Sequence, residues 1–378
     1  MRELLPFRVE ARDGNARAGT LQTPRGVVQT PIFMPVGTVG TVKSLMPDEL
    51  EALGAQIILA NTYHLYLRPG EPVLEQHGGL HRMMGWDRPI LTDSGGYQFF
   101  SLRHLARFDR DGVTFQSHVD GSRHRFTPER VIDIQRTIGS DVMMVLDHCS
   151  ELPAPRAALE RAMATTTDWA LRSLRHVVER PAERDGAVFA ILQGGTEHDL
   201  RVRHRDELCA HEFDGFAVGG LSVGEAPAVM YDVLETAVPG MPQERPRYLM
   251  GVGRPEDLVA GIERGVDMFD CVMPTRNARN GGTFTRTGRL NMRNGRHRTD
   301  ERPIDERCGC PACRRFTRSY ILHLFRTNEM LGPRLVTLHN LHYYLDLVTE
   351  ARAAIAAGRF ASWAAETRSG WAAAGESS

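Results

Sequence analysis

Three cysteines crowd into Cys308-x-Cys310-x2-Cys313. Three thiolates so close together can wrap one tetrahedral Zn²⁺ at about 2.3 Å each, and a fourth ligand closes a structural site. His323, His339 and His342 follow at workable separations, whereas His297 stands in an irregular stretch and fits less well. A closed site does no catalysis, so its role would be to hold the surrounding chain in shape. Carboxylates give the second signal. Asp93 sits in Thr92-Asp93-Ser94-Gly95-Gly96-Tyr97-Gln98, and Asp270 ends the run Asp267-Met268-Phe269-Asp270-Cys271. Two carboxylates at one mouth are the equipment for glycosyl transfer, one attacking the anomeric carbon while the other donates and then withdraws a proton. Plainer readings stand beside this one: Asp93 as the cap of a following helix, and Asp270 as an ion-pair partner of Arg276 or Arg279. Asp147, Gln193-Gly194-Gly195 and Gly219-Gly220-Leu221 add a carboxylate, an amide and open backbone groups. They match the donors and acceptors of a purine edge, or else merely cap strand ends. Cys149, Cys209 and Cys271 read as small packing residues.

Most of these polar residues end short apolar runs. Val27–Met34, Gln56–Ala60, Ile90–Leu91, Val142–Leu146, Val188–Leu192, Phe216–Val218, Tyr248–Met250 and Val266–Phe269 make eight strand-like segments. Helix-like stretches separate most of them, including Pro128–Ile138, Pro155–Val178, His198–His211 and Pro255–Glu263, several opening with proline. Strands alternating with helices predict a parallel sheet, and eight of them predict an α/β fold of the closed (β/α)8 TIM-barrel type, whose chemistry sits at the C-terminal ends of the strands. Asp93, Asp147, Gln193 and Asp270 all occupy such ends. An open doubly wound sheet fits less well, because no G-x-G-x-x-G follows the first strand. Val113–Phe126 alternates around Asp120-Gly121 and predicts an inserted β-hairpin. Past Thr275 the rhythm gives way to Gly, Asn and Arg, then to the cysteine cluster and three helix-like stretches near Phe316–Met330, Leu338–Ala357 and Phe360–Ala374. Gly375–Ser378 reads as a frayed end. The expected organisation is a barrel core over 1–275, a basic and zinc-binding segment over 276–345, and a helical segment over 346–378 that packs on the barrel.

Length and composition bound what this can be. In 378 residues, 42% are hydrophobic and 25% charged, which is ordinary globular composition and excludes long disordered tracts. No apolar run approaches 18 residues, so no membrane span is expected. Arg2, Glu3, Arg8 and Glu10 break up the N-terminus, which does not read as a secretory leader. Six cysteines cannot staple a chain of this length, and their clustering reads as metal ligation in a reducing compartment, hence a cytoplasmic protein. The net charge of −1 hides an asymmetry. Twelve arginines against four acids between Arg276 and Arg318 give that stretch +8, leaving −9 for the remainder. One strongly basic stretch on a neutral protein suits a phosphate backbone. An arginine-rich solvated surface is the competing reading, since Lys43 is the single lysine.

The same residues, in this order, resemble the tRNA-guanine transglycosylases. The matching blocks are Thr92–Ser101, Asp141–Cys149, Leu192–Gly195, Gly215–Glu225, Gly251–Asp257 and Gly265–Gly282, completed by Cys308–Cys313 with His339. The resemblance runs nearly end to end. It implies a TIM barrel with a zinc-binding insertion, an enzyme acting on the wobble guanosine of tRNAs with GUN anticodons (those for aspartate, asparagine, histidine and tyrosine) in queuosine biosynthesis. It implies that Asp270 is the nucleophile toward ribose C1′, leaving a covalent RNA–enzyme ester, and that Asp93 is the general acid/base. Asp147, Gln193 and the Gly220 backbone match the groups that hold the base, with Leu221, Met250 and Tyr97 lining its pocket. Arg276, Arg279, Gly251 and Arg254 match RNA-contacting positions. Cys308, Cys310, Cys313 and His339 match the zinc ligands, which resolves the fourth ligand as His339. A flipped nucleotide is the physical requirement of such chemistry.

Family branches differ in the incoming base. Bacterial members insert 7-aminomethyl-7-deazaguanine (preQ1) and carry cysteine and valine where this chain has Cys149 and Val223, whereas eukaryotic members insert queuine and tend to carry valine and glycine. A valine leaves less room than glycine for a cyclopentenediol, so the resemblance implies preQ1. The usual acid after the base-reading aspartate is replaced by His148, and Glu225 matches a neighbouring family acid that is retained. A queuine-inserting relative and a non-catalytic tRNA-binding subunit are the alternatives; the latter lacks the key carboxylates, and both Asp93 and Asp270 are present here. Bacterial relatives form homodimers, which the resemblance extends to this chain.

Overall fold

A computed structural model describes residues 4–182 and 185–375. Of the expected frayed tail, only Gly375 lies among the described residues, where it closes the last helix.

Eight short parallel strands build the centre: β1 (Ile32–Met34), β2 (Ile58–Ala60), β3 (Ile90–Thr92), β4 (Val142–Met144), β5 (Ala187–Leu192), β6 (Gly215–Val218), β7 (Arg247–Leu249) and β8 (Met268–Asp270). Each pairs with the next in sequence, β8 pairs with β1, and a parallel bridge from Val36 to Leu59 joins β1 to β2 and closes the ring. The predicted TIM barrel is therefore present. The strands read as continuous apolar runs rather than alternating ones because both faces are covered, the inner by opposing strands and the outer by helices. Every residue of β5, for example, is buried. Helices Pro128–Ile138, Arg156–Glu179, His198–Cys209, Pro227–Ala237 and Pro255–Glu263 return the chain between strands. The first starts where Thr127 Oγ1 accepts the Arg130 N–H at 3.2 Å and ends at Gly139 in the left-handed region.

Three segments differ from the sequence reading. Val27–Met34 is two strands, because Pro31 has no N–H to continue a ladder. Gly26–Thr30 closes an antiparallel sheet with Phe7–Asp13 and Ala16–Thr23, and Ile32 then enters the barrel by bonding Asp267 O at 2.8 Å. The predicted hairpin exists as Gly112–Gln116 and Arg123–Phe126, with Ala106–Asp109 added as a third strand. Phe316–Met330 is not one helix: Thr317 caps a new start at Arg318, the helix ends at Arg326, and Asn328 turns the chain at φ +56°. The long helix Leu331–Ala356 follows, then Phe360–Gly375.

The end of the barrel opposite the strand C-termini is closed by buried acids that have partners. Asp267 accepts from Arg17 through both oxygens (2.8 and 2.5 Å) and from the Arg247 N–H at 2.7 Å. Asp141 takes Arg25, His81 and the Ile90 N–H, and Asp214 takes the N–H groups of Leu5 and Val188. Among the described residues no helix is long and apolar enough to cross a membrane.

Candidate active site

β8 delivers Asp270 to the C-terminal mouth, and β3 runs directly into Asp93. One oxygen of Asp270, Oδ1, accepts from the Tyr248 hydroxyl at 2.5 Å and from the Gly251 N–H at 2.8 Å. Among the described residues, Oδ2 takes no hydrogen bond and no arginine pairs with the carboxylate. Arg276 and Arg279 instead stand exposed on the short helix Met273–Arg279, so the ion-pair reading of Asp270 does not hold. Burial raises the Asp270 pKa, partly offset by the Tyr248 and Gly251 hydrogen bonds. Asp93 does not cap the helix Gly96–Ser101, whose capping residue is Gly95 with no side-chain bond. Its carboxylate is gripped from β2: Thr62 N–H donates to Oδ1 at 2.9 Å and Asn61 donates to Oδ2. Burial pushes Asp93 up to about 7, against the Thr62 hydrogen bond and with a further push from Asp270. A carboxyl poised there is half-protonated at neutral pH, as a proton shuttle requires.

The purine-reading set is also assembled. Asp147, buried just past β4, accepts from Ser94 Oγ at 3.2 Å and from Gln193 Nε2 at 2.7 Å. Burial raises it to about 6, which leaves it mostly ionised at neutral pH. Gln193 follows β5, and Gly219-Gly220 follows β6 at the same level, because Leu192 pairs with Val218. Two glycines are required here. A Cβ on Gly96 would meet Asp147 Oδ1 at 2.2 Å, and one on Gly220, at φ +63°, would meet Gln193 Oε1 at 2.4 Å. Leu221 is buried, Met250 half-buried, and Tyr97 stands 56% exposed on Gly96–Ser101. Gly251 and Arg254 lie exposed on the loop after β7, with Arg254 preceding the helix Pro255–Glu263. His148 turns toward the inserted sheet, its ring stacked on Phe108 with centroids 4.4 Å apart and planes at 11°. Cys149 is buried, and Cys209 and Cys271 are half-buried.

Several residues that complete the site had escaped the sequence reading. Thr62, Arg201 and His204 carry no local signal, while Ser94 lies in the Asp93 motif and Tyr248 in a strand-like run without being singled out. Asn61 does carry one, since it ends an apolar run as Asp93 does.

The sulfurs of Cys308, Cys310 and Cys313 and a nitrogen of His339 lie within 4.8 Å of one another, all four residues buried. His339 Nε2 donates to Phe284 O at 2.8 Å, which fixes the tautomer and turns Nδ1 toward the sulfurs, 3.3 Å from Cys313 and 3.9 Å from Cys310. His342 touches only Cys308, at 3.5 Å. The donor set fits a closed metal site. One residue on from His339, Asn340 donates to Pro274 O and Gly282 O (2.9 Å each) and accepts from Phe284 N–H at 3.2 Å. The helix bearing the metal ligand thus also braces the segment bearing Arg276 and Arg279.

The structure thus sets buried carboxylates at the C-terminal mouth of a closed barrel and, apart from them, a Cys3His cluster fit for a metal. The family model described as Queuine tRNA-ribosyltransferase matches residues 13–373, and the chain belongs to that family. Proteins named queuine tRNA-ribosyltransferase are 50% identical in Ruegeria pomeroyi (98% of each chain), 54% in Nitratidesulfovibrio vulgaris (94% of this chain, 95% of the relative) and 53% in Thioalkalivibrio sulfidiphilus (96% of each).

Proposed function

We propose that this enzyme replaces guanine at the wobble position of GUN-anticodon tRNAs with preQ1 by double displacement. Asp270 Oδ2 attacks ribose C1′ of the target nucleoside. The C1′–N9 bond breaks, its electron pair leaves with guanine, and Asp93 supplies the proton that neutralises the departing base. Asp93 then takes a proton from the incoming base, whose nitrogen displaces the Asp270 ester at C1′ and restores the carboxylate. Tyr248 and Gly251 aim Asp270 by engaging one oxygen only. Asp147, Gln193 and the Gly220 N–H hold the base, Leu221, Met250 and Tyr97 line its pocket, and Arg276, Arg279, Gly251 and Arg254 meet the RNA.

The observation that carries this reading is the asymmetry of Asp270, whose Oδ1 is doubly bonded while Oδ2 is left open. The test is to stall turnover with tRNA in the absence of an incoming base and run denaturing electrophoresis. An RNA-linked protein band that disappears in Asp270→Ala is expected, and persistent failure to trap one overturns the mechanism.

The incoming base is preQ1 rather than queuine because Val223, half-buried two residues past Leu221, leaves less room than a glycine would for a cyclopentenediol. Glu225, whose carboxylate accepts from the Ser222 and Val223 N–H groups just past Leu221, is the acid we assign to the aminomethyl group, since His148 is engaged with Phe108. Competition of preQ1 against queuine for displacing labelled guanine discriminates the two.

The metal is zinc, which prefers this tetrahedral sulfur–nitrogen set and when bound supplies folding energy rather than chemistry. We assign the reaction to 1–275, the grip on the anticodon around the zinc to 276–345, and packing on the barrel to the described part of 346–378. A homodimer is supported by Met46 (56% exposed) and Met330 (88%), which flank the Glu49–Arg334 ion pair that joins two helices. A tRNA substrate and unpaired cysteines suit the cytoplasm.

A further inference from the structure

The helix His198–Cys209 presents Arg201 and His204 one turn apart on its inner face, both completely buried. No carboxylate pairs with Arg201 among the described residues. Its guanidinium is directed wholly at backbone carbonyls: Nε donates to Gly195 O at 2.8 Å, Nη1 to Leu192 O and Gly219 O at 2.9 Å each, and Nη2 reaches Gly220 O at 3.4 Å. These carbonyls belong to the last residue of β5 and to the two turns that follow β5 and β6. His204 Nδ1 accepts the Gln193 N–H at 2.8 Å, so its proton sits on Nε2, which donates to Thr167 Oγ1 at 3.1 Å.

We propose that Arg201 and His204 are positioning residues for the base pocket, welding the Gln193 turn to the Gly219-Gly220 turn so that the Gln193 amide and the Gly220 N–H converge on one purine edge. The inference rests on the base-pocket reading given above. A buried arginine without a carboxylate is a poor stability device, since an apolar side chain of similar volume avoids the desolvation. What a planar fork does supply is fixed geometry across both turns at once, beyond the Gly219 N–H to Leu192 O bond (3.0 Å) that already joins their bases. Both turns carry glycines, Gly194, Gly195, Gly219 and Gly220, whose backbones are freer than those of other residues. Burial lowers His204 to about 4, so it stays a neutral acceptor at working pH.

The test measures KM for guanine and KM for tRNA separately in the full-length, metal-loaded enzyme, with calorimetric guanine binding alongside. Arg201→Lys keeps the charge and loses the fork. It is expected to raise the guanine KM about tenfold, the equivalent of one charge-assisted hydrogen bond, while the tRNA KM stays within about twofold. His204→Leu is expected to act in the same direction, and His204→Asn, which restores an acceptor for the Gln193 N–H, to recover most of the loss. Should Arg201→Lys fail to fold, the His204 pair decides alone. A lowered melting temperature with unchanged guanine KM and unchanged guanine affinity overturns the inference, since a purely structural role moves only the first. Wild-type protein that neither binds nor exchanges guanine overturns the base-pocket reading beneath it, a result that the wild-type control separates from the variant outcomes.

Discussion

The two ends of the barrel use the same residue type in opposite ways. Asp141, Asp214 and Asp267 precede strands and are met by arginines, a histidine or backbone N–H groups. Asp267, with both oxygens on Arg17, is fully buried and fully answered. Asp93, Asp147 and Asp270 follow strands and have no cation beside them among the described residues, only neutral donors. The first set satisfies the fold. The second set carries raised pKa values, and burial is what raises them, with Asp270 and Asp147 adding to the push on Asp93 alone. An aspartate in a barrel is therefore read by which strand end it occupies and by whether an arginine has been provided for it.

Substitutions at the two ends should separate these roles. Asp270→Asn is expected to cut guanine exchange by about a thousandfold or more while leaving thermal unfolding close to wild type. Near-normal exchange would erase the distinction. At the opposite end, Asp267→Asn is expected to cost about 3–5 kcal/mol in urea unfolding, because Arg17 is left buried without its partner, yet to leave kcat per folded molecule unchanged. A specific kinetic defect there would show that the closed end also serves the chemistry.

The remaining tests are graded downward. Removing the metal with a chelator should expose the amides of 276–345 to hydrogen exchange and weaken tRNA binding, leaving the barrel strands protected; unchanged exchange after verified removal contradicts a bracing role. The affinity for tRNA should fall steeply with salt, and Arg276→Gln should reduce the log–log slope by about one. The smallest effect concerns Asp93. Its folded pKa of about 7 lies above its ordinary 3.8, so the folded state holds a proton that the unfolded chain has released. That group therefore lowers stability progressively as pH rises from about 4 to about 7, with the full penalty present above that window. Asp93→Asn should raise the melting temperature by a few degrees at pH 8 and by nothing at pH 4, and a destabilised variant at pH 8 would mean that the charged form is favoured after all. The same titration sets a falling limb near pH 7 for the step in which Asp93 gives its proton away.

Much of this was legible in the chain. Apolar runs ending in Asp93, Asp147, Gln193 and Asp270 placed the barrel and its mouth, since strand burial on both faces writes a continuous signal and strand ends break it. The Cys308–Cys313 spacing announced a metal because three thiolates so close have little else to do. Less legible were the N-terminal sheet, whose first strand Phe7–Asp13 alternates plainly but whose partners Ala16–Thr23 and Gly26–Thr30 do not, and the break at Pro31, where one apolar run serves two sheets.

What only the tertiary structure decided was partnership. Position alone sets Asp267 before its strand and Asp270 at its end, but only the fold shows that one meets Arg17 across 250 residues of chain and the other meets Tyr248 and an open mouth. The same holds for Arg201 and His204, ordinary in a polar helix until the fold turns them onto the carbonyls of two distant turns. Residue type and spacing are local and survive in the sequence. Desolvation and hydrogen-bond geometry are set by whatever long-range packing brings alongside, and they decide which of those residues become reactive.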